Sequence, residues 1–167
     1  MSQEKIAELN AKMAEVQAEI AVLAKTSGDS IIKELFATLW ETGVLGASWQ
    51  QYTPYFMDGD PCEFRVSADE MPIHWSEVPD LDGYESSAGH IKYYLNSVEN
   101  RHGSLLEKQR YLDAGLTLEK VLAVEKITDA IARVLHGNEA LLYAAYGDHV
   151  EITVTPDGVT VDEYEHD

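Results

Sequence analysis

Three carboxylates that could bind a divalent cation lie close together in the chain, at Asp58, Asp60 and Glu63. Carboxylate oxygens are the ligands that Mg²⁺ and Ca²⁺ prefer in proteins. The match to a calcium-binding loop is poor, because Pro61 and Cys62 occupy the next ligand positions. Asp and Gly in the run 58–60 also satisfy the backbone of a tight turn. We therefore predict a turn without a bound metal, and a metal-dependent phosphoesterase that uses the three carboxylates is the alternative.

The single cysteine, Cys62, would need a neighbouring base and a lowered pKa to act as a nucleophile. No histidine has a recognisable spacing to Cys62, and no two histidines have the one-turn spacing of a zinc protease. The six histidines are His74, His90, His102, His136, His149 and His166. The sequence also has no phosphate loop, dinucleotide fingerprint or nucleophile elbow. We predict a buried, inert cysteine, no enzyme activity and no cofactor.

Five of the fifteen aromatic residues fall between positions 48 and 64, namely Trp49, Tyr52, Tyr55, Phe56 and Phe64. The spacing of Trp49, Tyr52 and Phe56 is typical of residues that pack in a core. Alternatively, these rings stack on a nucleotide base, with an arginine as the partner of an anion. The candidate residues for binding a ligand or a partner are Trp49, Tyr52, Tyr55, Phe56, Arg65 and Arg101.

The chain is strongly acidic, with 30 Asp and Glu against 12 Lys and Arg and a formal net charge of −18. Such a field repels phosphates, and the basic residues are not gathered in one segment, so we expect no direct binding of duplex nucleic acid. The acidity favours a soluble protein, a partner of basic proteins or a mimic of DNA. One cysteine allows no internal disulfide, and no apolar run approaches the roughly 20 residues of a membrane span. We predict a cytoplasmic protein.

A heptad pattern predicts a helix over residues 2–25. Its apolar residues recur three and four positions apart, and we call them the heptad seam: Ile6, Leu9, Met13, Val16, Ile20 and Leu23. A seam this narrow favours pairing with one other helix, most simply in a homodimer. Folding back onto its own chain is the alternative. We predict a break at residues 26–29, an oligomerisation helix over 1–26 and a single α+β domain over 29–167.

The remaining pattern predicts helices packed on a small sheet. Apolar periodicity predicts helices near 30–42, 90–99, 104–112, 118–135 and 138–146. Alternation predicts a strand over 62–67 and a C-terminal hairpin over 149–164. Residues 69–90 are rich in Pro, Gly, Asp and Ser, which is typical of a long irregular loop. The predicted fold is therefore α+β, with helices on a three-stranded antiparallel sheet.

Two segments resemble small acidic proteins of tailed bacteriophages, which have no securely assigned activity. They are Trp49-Gln-Gln-Tyr-Thr-Pro-Tyr-Phe-Met-Asp-Gly-Asp-Pro-Cys-Glu-Phe64 and Tyr146-Gly-Asp-His-Val150. The resemblance implies a phage accessory protein. Proteins of this kind often act stoichiometrically on host defence.

We therefore predict a non-enzymatic protein that inhibits or sequesters a host factor. It would act as a protein inhibitor through the loop 69–90 and its acidic faces, or as a DNA mimic. A third possibility is a nucleotide sponge, with a pocket at the oligomer interface lined by Trp49, Tyr52, Tyr55 and a basic residue. A structural component of the virion is a further alternative.

Overall fold

The computed structural model describes residues 3–56, 58–81, 83–99 and 103–165. Its first element is one helix, α1, which runs without interruption over Gln3–Trp40. The predicted break at residues 26–29 is therefore wrong. Gly28 is buried in mid-helix, where a Cβ atom would lie 3.0 Å from the Cβ of Ala145. The glycine allows a close approach between two helices and does not end the first one.

Among the described residues, five short strands form one antiparallel sheet. They are β1 (Gly46–Tyr52), β2 (Arg65–Ser67), β3 (Ile73–His74), β4 (Val150–Val154) and β5 (Val159–Glu163). The order is β2-β1-β4-β5, and β3 also pairs with β1. The C-terminal hairpin is confirmed. The sheet has five strands instead of the predicted three, because β1 and β3 lie in segments that we assigned to core aromatics and to a loop.

Four further helices complete the fold, which confirms the α+β class. They are α2 (Ala88–Leu95), α3 (Ser104–Asp113), α4 (Leu118–His136) and α5 (Glu139–Tyr146). The Thr117 side chain caps α4 by accepting a hydrogen bond from the backbone N–H of Lys120, and Ser87 caps α2 in the same way. Such caps satisfy backbone donors that have no partner within the helix.

The core lies between the sheet and the helices. Alternation along β1 directs Trp49 towards the helices, where its ring stacks on Phe36 of α1 with centroids 5.9 Å apart. Opposite Trp49 in the sheet is Ile152 of β4, which is also fully buried. The second half of α1 contacts α4 and α5 and closes this core. Residues 24–40, the docked segment of α1, therefore belong to the folded body.

Residues 69–81 and 83–90 contain regular elements and contribute to the core, so the predicted irregular loop is wrong. They contain β3, a 3-10 helix over Gly83–Ser86 and the start of α2. Their large buried side chains are Met71, Ile73, Trp75 and Val78. The Trp75 ring lies beside the Lys120 ammonium, which also pairs with Glu77. The Pro and Gly residues here shape a tightly folded connection.

Candidate functional site

The heptad seam of α1 is exposed to solvent along its whole length. Its side chains are between 41% exposed, at Leu9, and 66% exposed, at Leu23. Every residue over 5–23, which we call the projecting segment, is exposed. The body of the protein therefore does not cover this stripe, and the predicted alternative of folding back onto the chain is not what the structure shows.

The apolar stripe of α1 moves to another face of the helix where α1 begins to contact the folded body. In the docked segment the buried residues are Gly28, Ile32, Phe36 and Leu39. At about 100° per residue, they point more than a quarter turn away from the heptad seam. The heptad positions that continue the seam hold Ser27, Ser30, Glu34 and Ala37, all of them exposed. The seam therefore ends at Leu23 and faces away from the body.

The helical form of the projecting segment is supported by local ion pairs. The Glu8 carboxylate lies 2.8 Å from the Lys12 ammonium and 3.0 Å from the Lys5 ammonium. The hydrogen bonds from Lys12 and then Lys5 lower the pKa of Glu8. Pairs at this spacing stabilise a helix only slightly. An exposed stripe of six large apolar side chains is typical of a surface that another helix covers.

A second apolar feature lies just beyond the seam. A shallow cleft of about 130 Å³ separates the docked segment from α4 and α5. Ile31 of α1 lines it and is 49% exposed, opposite the partly exposed Val134 and Leu141. The cleft is a second exposed apolar surface, and it lies on the body of the protein.

The predicted aromatic site is divided between the two faces of the sheet. Trp49 is 1% exposed and faces the helices, so it is a core residue that a surface ligand does not reach. Tyr52, three residues on, lies on the opposite face. The nucleotide pocket predicted from Trp49, Tyr52 and Tyr55 therefore does not form within the described chain. Arg65 is exposed and is the strand neighbour of Tyr52, whereas Arg101 lies outside the described residues.

A polar network explains why Trp49 and Gln51 are structural. Gln51 is fully buried, and its side-chain amide donates hydrogen bonds to the carbonyl oxygens of Leu142 (3.2 Å) and Gly147 (2.6 Å). Its carbonyl oxygen accepts one from the Trp49 indole at 3.4 Å. A buried amide needs such partners. These bonds attach β1 to the end of α5.

Exposed and half-buried aromatic residues form a cluster where β1 and β5 end and β4 begins. The Tyr55 ring stacks on His149 at 4.9 Å, and Tyr52 lies 5.6 Å from Tyr164. The backbone of Tyr164 donates a hydrogen bond to the carbonyl of His149, which joins the two pairs. Phe56 is 75% exposed beside them in the chain. We call these five residues, Tyr52, Tyr55, Phe56, His149 and Tyr164, the edge patch.

Asp148 holds the edge patch in place. Its two oxygens accept hydrogen bonds from the backbone and the hydroxyl of Thr53, each at 2.7 Å, and from the backbone of His149 at 2.9 Å. Burial opposes ionisation of Asp148, but the hydrogen bonds from Thr53, with the backbone and charge of His149, lower its pKa. Sequence analysis missed Asp148 and Tyr164 in this role. The alternation of the last strand was the available signal for Tyr164.

The residues considered for catalysis lie apart from any built site. Asp58, Asp60, Cys62 and Glu63 are all exposed, so the prediction of a buried cysteine is wrong. Asp58 and Gly59 have positive φ values of 35° and 95°, as the predicted turn requires. Within the part of the chain that the structure describes, no group of three His, Cys, Asp or Glu residues could hold a metal ion.

None of the helices among the described residues combines the length and the apolar character that crossing a bilayer requires. A scan against family models, a search of curated proteins and a search of solved structures each found no match.

Proposed function

We propose that this protein acts by binding, as a self-associating unit that is held together by the projecting segment of α1. The observation that carries the proposal is the exposed heptad seam, Ile6 to Leu23. The proposal assigns no catalytic step to the protein. The favoured assembly is a homodimer, because a seam with only two apolar residues per heptad suits one partner helix.

The expected affinity is moderate. Removing the exposed half of a large apolar side chain from water contributes roughly 1 kcal/mol. The six seam positions on each of two copies would therefore contribute about 12 kcal/mol. Association costs about 4–15 kcal/mol before any gain appears. With an association cost of about 4 kcal/mol, the low end of that range, about 8 kcal/mol remains, which corresponds to a dissociation constant of about 1 μM.

The seam proposal is tested by placing charge on the seam. The variant Leu9→Glu/Met13→Glu/Val16→Glu is expected to be monomeric, because carboxylates in the interface would lose their water. The matched control Ala7→Glu/Ala14→Glu/Ala18→Glu carries the same added charge outside the seam and is expected to stay dimeric. Light scattering coupled to gel filtration measures both masses. Circular dichroism checks that both variants keep their helix content. Equal masses for the two variants would contradict the proposal.

The edge patch is the surface that we assign to a target. Tyr55 and Phe56 are 69% and 75% exposed, an unusual state for two adjacent aromatic residues. The carboxylates of Asp58, Asp60 and Glu63 are exposed in the same loop. Aromatic rings surrounded by negative charge suit a basic protein surface, because tyrosine and arginine are enriched where proteins meet.

The target that we propose is a host protein in the cytoplasm, bound stoichiometrically. This part of the proposal is supported by the resemblance of residues 49–64 to phage accessory proteins and by the net charge of −18. Affinity capture with the wild-type protein, compared with Tyr55→Ala/Phe56→Ala, tests it. A basic host protein retained by the first and lost from the second, and released by added salt, is the expected result. If the wild-type protein and the variant retained the host protein equally, the edge patch would not be its binding surface.

A further inference from the structure

The residues that flank the heptad seam carry opposite charges at two equivalent positions. Lys5, Lys12 and Glu19 each come directly before a seam residue, in three successive heptads, and the opposite charges are those of Lys12 and Glu19. Both are exposed. On the other flank, Asn10, Gln17 and Ala24 each follow a seam residue and carry no charge. In helix pairs, charges at flanking positions set the orientation of the partner.

We infer that two copies of this chain pair through α1 in antiparallel orientation, with Lys12 beside Glu19 of the partner subunit. The inference rests on the proposed self-association and specifies its geometry. In an antiparallel pair, the flank that holds Lys12 and Glu19 faces the same flank of the second copy. Two symmetric ion pairs result. Asn10 and Gln17 meet in the same way on the opposite flank, where both side chains are polar.

A parallel pair offers no such match. There, the flank that precedes the seam faces the flank that follows it on the other helix. Lys12 would lie beside Gln17 of the partner subunit, and Glu19 would lie beside Ala24 of the partner subunit. Neither contact is an ion pair, so the flanking charges favour the antiparallel orientation.

The antiparallel register uses every seam residue. Ile6 lies opposite Leu23 of the partner subunit, and Leu9 lies opposite Ile20 of the partner subunit. Met13 and Val16 form the central layers. The seam ends at Leu23 because the next heptad positions, Ser27 and Ser30, are polar and exposed. A slip of one heptad in either direction would remove apolar layers, so the seam length fixes the register.

Net charge adds an independent reason for this orientation. Each copy carries a formal charge of −18. In a parallel pair, both bodies would lie at the same end of the helix pair. In the antiparallel pair, the two Ala24 residues lie about 28 Å apart along the axis, at 1.5 Å per residue. That separation exceeds the Debye length of about 8 Å at physiological salt, so the repulsion between the bodies is largely screened.

Disulfide trapping distinguishes the two orientations. The exposed Cys62 is first replaced by serine, and Leu9→Cys and Ile20→Cys are made as separate variants. In the antiparallel pair, two Leu9→Cys sites lie about 16 Å apart along the axis. Cysteines whose Cα atoms are more than about 7 Å apart do not form a disulfide. Neither variant alone should cross-link, and an equal mixture should give a cross-linked heterodimer, identified by a mass tag on one chain.

Rapid cross-linking of Leu9→Cys alone would overturn the antiparallel orientation while leaving the proposed self-association intact. If neither variant nor their mixture cross-links, sedimentation of the same samples decides between the remaining outcomes. A monomeric mass contradicts self-association and the orientation together. A dimeric mass contradicts the antiparallel register alone.

Charge reversal gives a second, independent test. Glu19→Lys places two lysines together in the antiparallel pair. The dissociation constant should rise about tenfold, because both exposed ion pairs become repulsive contacts. The change also places a lysine four residues after Glu15, a favourable spacing within the helix, so weaker pairing is not explained by lost helix. Mixing Glu19→Lys with Lys12→Glu should restore pairing as a heterodimer. A dissociation constant unchanged by Glu19→Lys, measured by sedimentation equilibrium, would contradict the antiparallel contact.

Discussion

The two segments of α1 belong to one unbroken helix but meet different surroundings. In the docked segment, Ile32, Phe36 and Leu39 are at most 2% exposed. In the projecting segment, the six seam side chains are at least 41% exposed. Both stripes have helical periodicity and similar apolar side chains. An apolar stripe therefore indicates only that something covers that face of a helix, and the position of the folded body determines which stripe the protein covers itself.

The stability of α1 should therefore come from one end. A lone helix of about 20 residues is marginal in water, because starting a helix is costly. The docked segment supplies a helix already fixed by tertiary contacts, and the projecting segment extends it. The helical form of the projecting segment thus depends on the docked segment.

The largest expected effect is in the docked segment. Phe36→Ala should lower the free energy of unfolding by about 3–5 kcal/mol, because it leaves a cavity in a core where the ring stacks on Trp49 and Trp40. Urea unfolding measures the loss. Lys33→Ala, at an exposed position one turn away, is the control and should change the free energy of unfolding by less than about 0.5 kcal/mol. Similar losses for both would contradict the assignment of the docked segment to the core.

A smaller effect is expected where α1 approaches α5. Gly28→Leu should cost about 1–3 kcal/mol, because the new side chain would have to displace Ala145 and Tyr146. Ala18→Leu, on an exposed position of the projecting segment outside the seam, is the matched control and should be neutral. An unchanged thermal midpoint for Gly28→Leu would show that the two helices are less tightly apposed than the structure indicates.

The edge patch should respond to acid through Asp148. Since folding lowers the pKa of this carboxyl, its ionised form stabilises the fold. This stabilisation is complete at pH values above the ordinary pKa of 3.8, and it is lost as the pH falls through the lower pKa of the folded state. Asp148→Asn should cost about 1–2 kcal/mol at pH 7, the range for a few lost hydrogen bonds. The difference from wild type should shrink below about pH 4.

Thermal melts of wild type and Asp148→Asn across this pH range measure the effect. Asp60→Asn, an exposed carboxylate in the neighbouring loop, is the control and should follow the wild-type curve. A difference between wild type and Asp148→Asn that stays constant down to pH 3 would contradict a stabilising role for the ionised carboxylate.

The smallest effect on stability is expected at the exposed rings of the edge patch. Tyr55→Ala/Phe56→Ala should change the free energy of unfolding by less than about 0.5 kcal/mol per residue, as for most surface positions. Phe64→Ala should cost more, because Phe64 packs edge-on against Tyr143 at 5.0 Å. Urea unfolding compares them. A large loss for the Tyr55 and Phe56 variant would assign these rings to the structure of the patch instead of to recognition.

Periodicity was sufficient to predict much of the fold. Helices α4 and α5 and the C-terminal hairpin agree with the predicted ranges within a few residues, because their apolar faces all point to one core. The break at residues 26–29 was predicted wrongly for a physical reason. An apolar stripe that moves to another face of the same helix interrupts the heptad pattern as a loop does, and Gly28 strengthens that impression.

The candidate site was less predictable. The heptad seam could be found from spacing alone, but its exposure depends on where the body lies. In the aromatic segment, strand alternation places Trp49 and Tyr52 on opposite faces, whereas we expected helical spacing to group them. The edge patch brings His149 and Tyr164 beside residues about 100 positions earlier in the chain, and such contacts leave no local pattern in a sequence.

Sedimentation equilibrium of the unmodified 167-residue chain, from nanomolar to high micromolar concentration, shows whether a second copy covers the heptad seam. We expect a reversible change from a monomer to a dimer of twice the 18.6 kDa chain mass as the concentration rises, with a midpoint at a micromolar concentration. A mass of 18.6 kDa at every concentration would contradict it, because the heptad seam would then stay in water without a partner.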